Sequence, residues 1–266
     1  MNKRYIGVLI LSPLVIVLFL GGIYLKILTA LFALMGMYEF YSILNNKKIN
    51  PVKYLGYSIC IFYYLLIFID KMELIWISSI FIWGLLIAMS IMVLSEEYNI
   101  VDISLTIIGC LYVTIPFSLI ALISEKNNGN YFVWIIFISC WMCDSMAYYS
   151  GKYFGKTKLC PRVSPKKTVE GAIGGLLGSI ITVTAFGLFM QSRGINIATF
   201  NFILLGFFGG VICQIGDLAA SSIKRYVGVK DYSNIIPGHG GILDRFDSIL
   251  FTSVLVYYYV TIILGM

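Results

Sequence analysis

The sequence predicts an all-α, polytopic integral membrane helix bundle with about nine transmembrane helices, and three observations carry that prediction. Hydrophobic residues make up 59% of the 266-residue chain and charged residues 12%, whereas a soluble domain holds roughly 45–50% and about 25%. Mean hydropathy is +0.91. Apolar runs long enough to cross the hydrocarbon core recur along the whole chain, and a helix is the structure that satisfies its own backbone groups there. No Pro/Ser-rich linker, low-complexity block or clear repeat interrupts the pattern. Residues 1–266 therefore read as one membrane domain, with N-terminal transmembrane helices over 1–130 and a C-terminal part over 131–266 that carries two polar loops, 151–171 and 221–247.

The first run follows a basic start, MNKR, and spans about 19 residues to Leu25. Another run follows at once, so a retained anchor is expected rather than a cleaved signal. Further runs lie at 27–44, 55–69, 74–94, 103–123, 131–150, 172–190, 201–220 and 248–265, which makes nine spans. With the N-terminus inside, only Lys26, Lys71, Lys126 and Arg193 fall outside, and the other 15 of the 19 Lys and Arg face the cytoplasm. That bias is the positive-inside pattern, and it puts both polar loops on the cytoplasmic side of a multi-pass inner (plasma) membrane protein. A net charge of +6 without a basic helix or aromatic-interleaved basic patch argues for topology and against nucleic acid. The six cysteines lie mostly in apolar runs and suggest no disulfide framework, and the Cys140/Cys143 pair, inside YFVWIIFISCWMC, reads as packing. Whether the protein forms a homodimer is open at this level.

Two acids fall within spans. Glu39, near the cytoplasmic end of the second span, reads as a structural or snorkelling residue. Asp144, about two turns from the end of the sixth, is divided between a site role and helix packing, because an intramembrane carboxylate is costly and faces protein or water.

The chemistry concentrates between Asp217 and Asp247, where four acids (Asp217, Asp231, Asp244, Asp247), four bases (Lys224, Arg225, Lys230, Arg245) and the only histidine, His239, crowd into an otherwise apolar chain. If the eighth span runs on as a helix, Asp217, Ser221 and Lys224 share a face. Asp244 and Asp247, three apart at the mouth of the last span, share another, so two helix ends can gather three carboxylates. Such hard oxygen ligands suit Mg²⁺. The surrounding cations suit a polyanion, with Arg binding phosphate in bidentate fashion and Lys as a point charge. The turn Pro237 to Gly241 frees the backbone, Gly240 and Gly241 included, to approach a ligand and form an anion-binding concavity. His239 stands between a structural role and phosphate contact or proton transfer. In the other loop, Ser164, Lys166, Lys167 and Thr168 precede a helix start for which Thr168 is the expected N-cap. A helix N-terminus behind two lysines favours a nucleotide or lipid phosphate, and a polybasic loop also attracts anionic headgroups.

These residues resemble the signature of the phosphatidate cytidylyltransferase (CDP-diacylglycerol synthase) family. The pattern runs Ser221, Lys224-Arg225, Lys230-Asp231, Ser233, Ile236-Pro237, His239-Gly240-Gly241 and Asp244-Arg245-Phe246-Asp247 without a departure. SPKKTVEG and the stretch from Asp144 to Gly155 share the resemblance, which covers the C-terminal half; the first five spans agree only in hydrophobicity and order. The resemblance implies an Mg²⁺-dependent nucleotidyltransferase that condenses CTP with phosphatidate, a lipid of the bilayer, to CDP-diacylglycerol and pyrophosphate. It implies Asp217, Asp244 and Asp247 as metal ligands, with Lys224, Arg225, Lys230 and Arg245 on phosphates and Ser221 and His239 beside them. The nearest alternative is a cytidylyltransferase for another lipid phosphate, such as an isoprenoid glycerol phosphate. An anion transporter would want charge midway along its spans, and a CDP-alcohol phosphotransferase a D-G-x-x-A-R spacing that this chain lacks.

Overall fold

A computed structural model of the chain describes residues 14–236, 238 and 240–266. It is an all-α polytopic membrane protein apart from one small hairpin. Among the described residues seven helices are long and apolar enough to cross a bilayer. They are α1 (Gly22–Leu44), α3 (Leu74–Leu94), α4 (Ile100–Ser124), α5 (Gly129–Phe154), α6 (Val169–Ser192), α7 (Thr199–Val227) and α8 (Leu243–Tyr258, prolonged by a π turn to Ile263). The remaining apolar helix, α2 (Lys53–Phe68), has 16 residues and is shorter than the ~20 that span hydrocarbon. Eight of the nine expected spans thus have a helix. The start of the first, residues 7–13, lies outside the described residues, and 14–20 are helical and end at Gly21. Gly21 and Gly22 both have positive φ, 62° and 52°, a conformation open to glycine. They break the apolar stretch, so α1 starts at Gly22 rather than at Ile27, where the second run was expected to begin.

The chain divides into two compact units, Met1–Ala121 with Val227–Asp244, and Leu122–Tyr226 with Arg245–Met266. In the first, α4 begins with a reciprocal cap. Asn99 accepts from the amides of Val101 and Asp102, and Asp102 accepts from the Asn99 amide at 2.9 Å. Within α4 the ladder widens into a π turn over Cys110–Thr114. Just before it, Tyr41 of α1 donates to the Thr106 carbonyl at 2.7 Å, and its ring fills the space that side chains at Gly56 and Gly109 would need. By contrast α3 buries only Gly84 and Ala88, so nearly all of its apolar surface is left to lipid.

The second unit is held by small residues. Gly171, Gly174, Gly175 and Gly178 of α6 meet Cys143, Met146, Ala147 and Ser150 of α5 at close range, and a Cβ on Gly175 would stand 2.8 Å from the Cys143 carbonyl oxygen. Lipid tails are as apolar as leucine, so helices in a bilayer gain by close packing, which small residues permit. Ser139 and Ser179 share a hydrogen bond of 2.8 Å, and Ser179 also donates to the Gly206 carbonyl of α7. The Cys140/Cys143 pair packs as expected. Both thiols are free and buried, the first against Thr252 Oγ1 and the second against the Gly210 carbonyl.

The loop expected over 151–171 is partly ordered backbone. Helix α5 runs on to Phe154, and an antiparallel hairpin of β1 (Lys158–Cys160) and β2 (Ser164–Thr168) pairs Lys158 with Thr168 and Cys160 with Ser164. A two-stranded ribbon has only edges, which is why Pro165 is tolerated in it. Thr168 then caps α6 as expected, its Oγ1 accepting from the Gly171 amide at 3.1 Å.

Candidate active site

In the second unit the hairpin, α5, α6 and α7 enclose a cavity of about 370 Å³. Helix α5 lines it with Asp144, Tyr148 and Lys152, β2 with Lys166, Lys167 and Thr168, and α7 with Gln214 and Asp217. The Thr168 cap and the glycine seam bring β2 and α5 this close: a Cβ on Gly151 would lie 3.0 Å from Thr168 Oγ1. Lys167 Nζ pairs with Asp217 Oδ2, both side chains little more than a quarter exposed. Ser221 Oγ lies 3.4 Å from Asp217 Oδ1, one turn on, which realises the shared face expected of α7. Asp144 opens to the cavity, with the Cys213 thiol 3.9 Å from its Oδ1.

The charges here act on one another. Asp144 and Asp247 each feel the Asp217 carboxylate, and Asp247 also feels Asp144, while Lys167 offsets Asp144 and Lys224, only 8% exposed, offsets Asp247. Asp247 is further held through Oδ1, which accepts from the Ser248 amide at 2.7 Å. Three carboxylates and two buried or half-buried ammonium groups therefore share one polar region at the end of apolar helices. Arg225, in the last turn of α7, has its Nε 3.4 Å from the Val163 carbonyl and so reaches the hairpin turn.

The remaining signature residues lie in the loop before α8 and in its first turn. Asp244 Oδ2 accepts from the amides of Tyr232 and Gly241, at 2.8 and 3.0 Å, and so ties the two limbs of the loop together. Ile236 and Gly240 form a bridge, their N···O distance 2.9 Å, and Gly238 and Gly240 take positive φ of 79° and 81°, which the turn needs. Lys230 and Asp231 are exposed on this loop, and Arg245 is exposed in the first turn of α8. His239 and Pro237 lie outside the described residues.

Sequence reasoning missed several positions. Gln214 lines the cavity while donating to the Ala172 and Gly210 carbonyls, at 3.1 and 3.2 Å, and Lys152 and Tyr148 line it too. Gln214 lies three residues before Asp217 on α7, and that spacing was the available signal. Glu39 does not snorkel. It is 0% exposed and accepts hydrogen bonds from the signature loop.

Asp144, Asp217 and Asp247 are a hard-oxygen donor set of the kind that suits Mg²⁺. Among the described residues, no three His, Cys, Asp or Glu side chains converge closely enough to make a preformed metal site, and the Lys167 ammonium stands on Asp217.

Residues 2–263 match the model of the cytidylyltransferase family. A phosphatidate cytidylyltransferase of Staphylococcus saprophyticus is 34% identical over 243 residues, which is 88% of this chain and 89% of that one. One from Staphylococcus haemolyticus is 35% identical over 254 residues, 92% of each chain. Another, from Bacillus subtilis, is 37% identical over 193 residues, 71% of this chain and 68% of its own. Matched along nearly its whole length, from the N-terminal spans to the last helix, the chain belongs to the cytidylyltransferase family.

Proposed function

We propose that the protein condenses CTP with phosphatidate to give CDP-diacylglycerol and pyrophosphate, at the cytoplasmic face of a plasma membrane. The observation that carries this reading is the cavity, where ammonium groups and carboxylates alternate at the end of apolar helices. Its chemistry suits a nucleotide phosphate and a lipid headgroup together, and the name borne by the relatives agrees with it. In the reaction a phosphatidate phosphate oxygen forms a bond to the α-phosphorus of CTP as the bond from that phosphorus to the bridging oxygen of the β-phosphate breaks. Pyrophosphate carries away the electron pair, so no protein nucleophile is required.

Both substrates are polyanions, and the first task of the site is to hold them together against their repulsion. Lys166 and Lys167 are the proposed contacts from β2, and Lys224, Arg225, Lys230 and Arg245 those of the signature, with Ser164, Thr168, Ser221, Asp231, Gly240, Gly241 and His239 completing the substrate-binding set. Asp217, Asp247 and, from the signature, Asp244 are the proposed Mg²⁺ ligands, with Asp144 near the first two. When bound, the cation supplies neutralisation of the charge that develops on the leaving pyrophosphate. Gln214 orients the α6–α7 wall through its two carbonyl contacts.

The test is pyrophosphate release by purified protein in detergent with Mg²⁺ and CTP, with phosphatidate or an isoprenoid glycerol phosphate supplied in parallel. Release that needs phosphatidate and yields a CDP-lipid supports the reading. Release only with the isoprenoid substrate keeps the mechanism and changes the lipid, and silence with both from folded protein removes the assignment.

A further inference from the structure

Glu39 sits in α1, more than 190 residues from the loop it holds, and none of its surface is exposed. Its Oε1 accepts from Ser233 Oγ at 2.7 Å and from the Ile242 amide at 2.8 Å, and its Oε2 from the Leu243 amide at 2.8 Å. Gly241 presses on the same carboxylate: a Cβ there would lie 2.5 Å from Oε1 and 2.6 Å from Oε2. Asp244 lies near enough to act on Glu39 electrostatically, and it takes the neighbouring amides of Tyr232 and Gly241. The two acids thus divide these donors of both limbs between them. Ser233 and Tyr232 lie on the limb before the turn, and Gly241, Ile242 and Leu243 on the limb after it.

We infer that Glu39 is a positioning residue for the cytidylyltransferase signature loop. It clasps the two limbs at a set separation and supplies the acceptor for the first amides of α8, a task that a local Ser or Asp N-cap usually performs. A carboxylate within an apolar helix is costly and persists where fixed donors compensate it. Here the described partners are three neutral donors of one loop. Because no part of Glu39 is exposed, it acts through the loop and not by touching substrate. A hydrophobic residue at this position, common elsewhere along α1, would leave the Ile242 and Leu243 amides without this acceptor.

The inference rests on the proposed function, and its test separates the two. Glu39→Gln keeps the side-chain volume but sets an NH₂ group against at least one donor. Purified E39Q is expected to keep the wild-type melting temperature in detergent to within a few degrees and to lose at least tenfold in kcat, with KM for CTP changed less than threefold. Backbone amides 241–243 should exchange with deuterium at least tenfold faster. Ser233→Ala, which removes one donor and leaves the carboxylate, should lower kcat at least threefold even if E39Q does not fold, and the double variant should be no worse than E39Q alone. Accelerated exchange with kcat within twofold of wild type would reduce Glu39 to a structural part, and unchanged exchange would remove the clasp. If the wild-type protein turns over no CTP, the proposed function fails, while the exchange rates still decide whether Glu39 holds the loop.

Discussion

Replacing Lys167 by Met removes one ammonium group from a region that holds three carboxylates, Asp144, Asp217 and Asp247, against Lys167 and Lys224. Taken at formal charge, the group moves from −1 to −2 just where a polyanion must bind. A hydrogen bond to a charged group contributes about 1.5–3 kcal/mol. Since the Lys167 side chain is 27% exposed, water screens part of that, and about 1–2 kcal/mol is the appropriate range. At 1.36 kcal/mol per tenfold, kcat/KM for CTP should fall about 5- to 30-fold. The fold should tolerate the change, because Asp217 is 29% exposed and loses only a partly exposed pair, about 1 kcal/mol or less. The same substitution frees Asp217 Oδ2 of its ammonium partner, so the Mg²⁺ concentration for half-maximal activity should fall while the CTP requirement rises. The two effects have opposite sign, and general damage to the site would not produce them together. Initial rates of pyrophosphate release over a grid of CTP and Mg²⁺ concentrations measure both, with Lys167→Arg as the control that keeps the charge. An unchanged kcat/KM would refute the phosphate contact, and an unchanged Mg²⁺ midpoint would refute the competition at Asp217.

Other outcomes follow from the same geometry. Asp217→Asn and Asp247→Asn should each lower turnover about 100- to 1000-fold at saturating substrate, with an unchanged melting curve, since each removes charge from the proposed Mg²⁺ ligands and leaves packing intact. Asp244→Ala strips the acceptor from the Tyr232 and Gly241 amides, so it should destabilise the loop by about 1–3 kcal/mol, seen as faster proteolysis between Gly228 and Leu243. Gly175→Ala would place a Cβ 2.8 Å from the Cys143 carbonyl and 3.0 Å from Ala147 Cβ. Neither can retreat without moving α5, so a loss of about 1–3 kcal/mol is expected in unfolding assays in detergent.

The hydrophobic runs found the helices, because hydrocarbon demands about 20 apolar residues and a backbone that satisfies itself, and both demands are written in consecutive residues. The Thr168 cap and the shared face of Asp217 and Ser221 were legible for the same reason: they depend on spacings of three and four. The hairpin over 158–168 was not, since its strands are three and five residues long and its pairing with Pro165 inside resembles a polar loop in composition. Nor was the break at Gly21, or the glycine seam between α5 and α6, which in sequence is only a stretch of small residues. The candidate site shows the same division. Its residue types, and the concentration of acids and bases between Asp217 and Asp247, are properties of the chain itself. That Asp144 joins Asp217 and Asp247, that Lys167 is the partner of Asp217, and that Glu39 closes on Ser233, Ile242 and Leu243 are matters of which helix faces which. The sequence alone determined the spans, the polar stretches and the chemistry they can offer. Only the tertiary structure decided the pairings, because a contact between residues about 50 or 200 positions apart is selected by how backbones pack across small side chains, and local spacing carries no record of it.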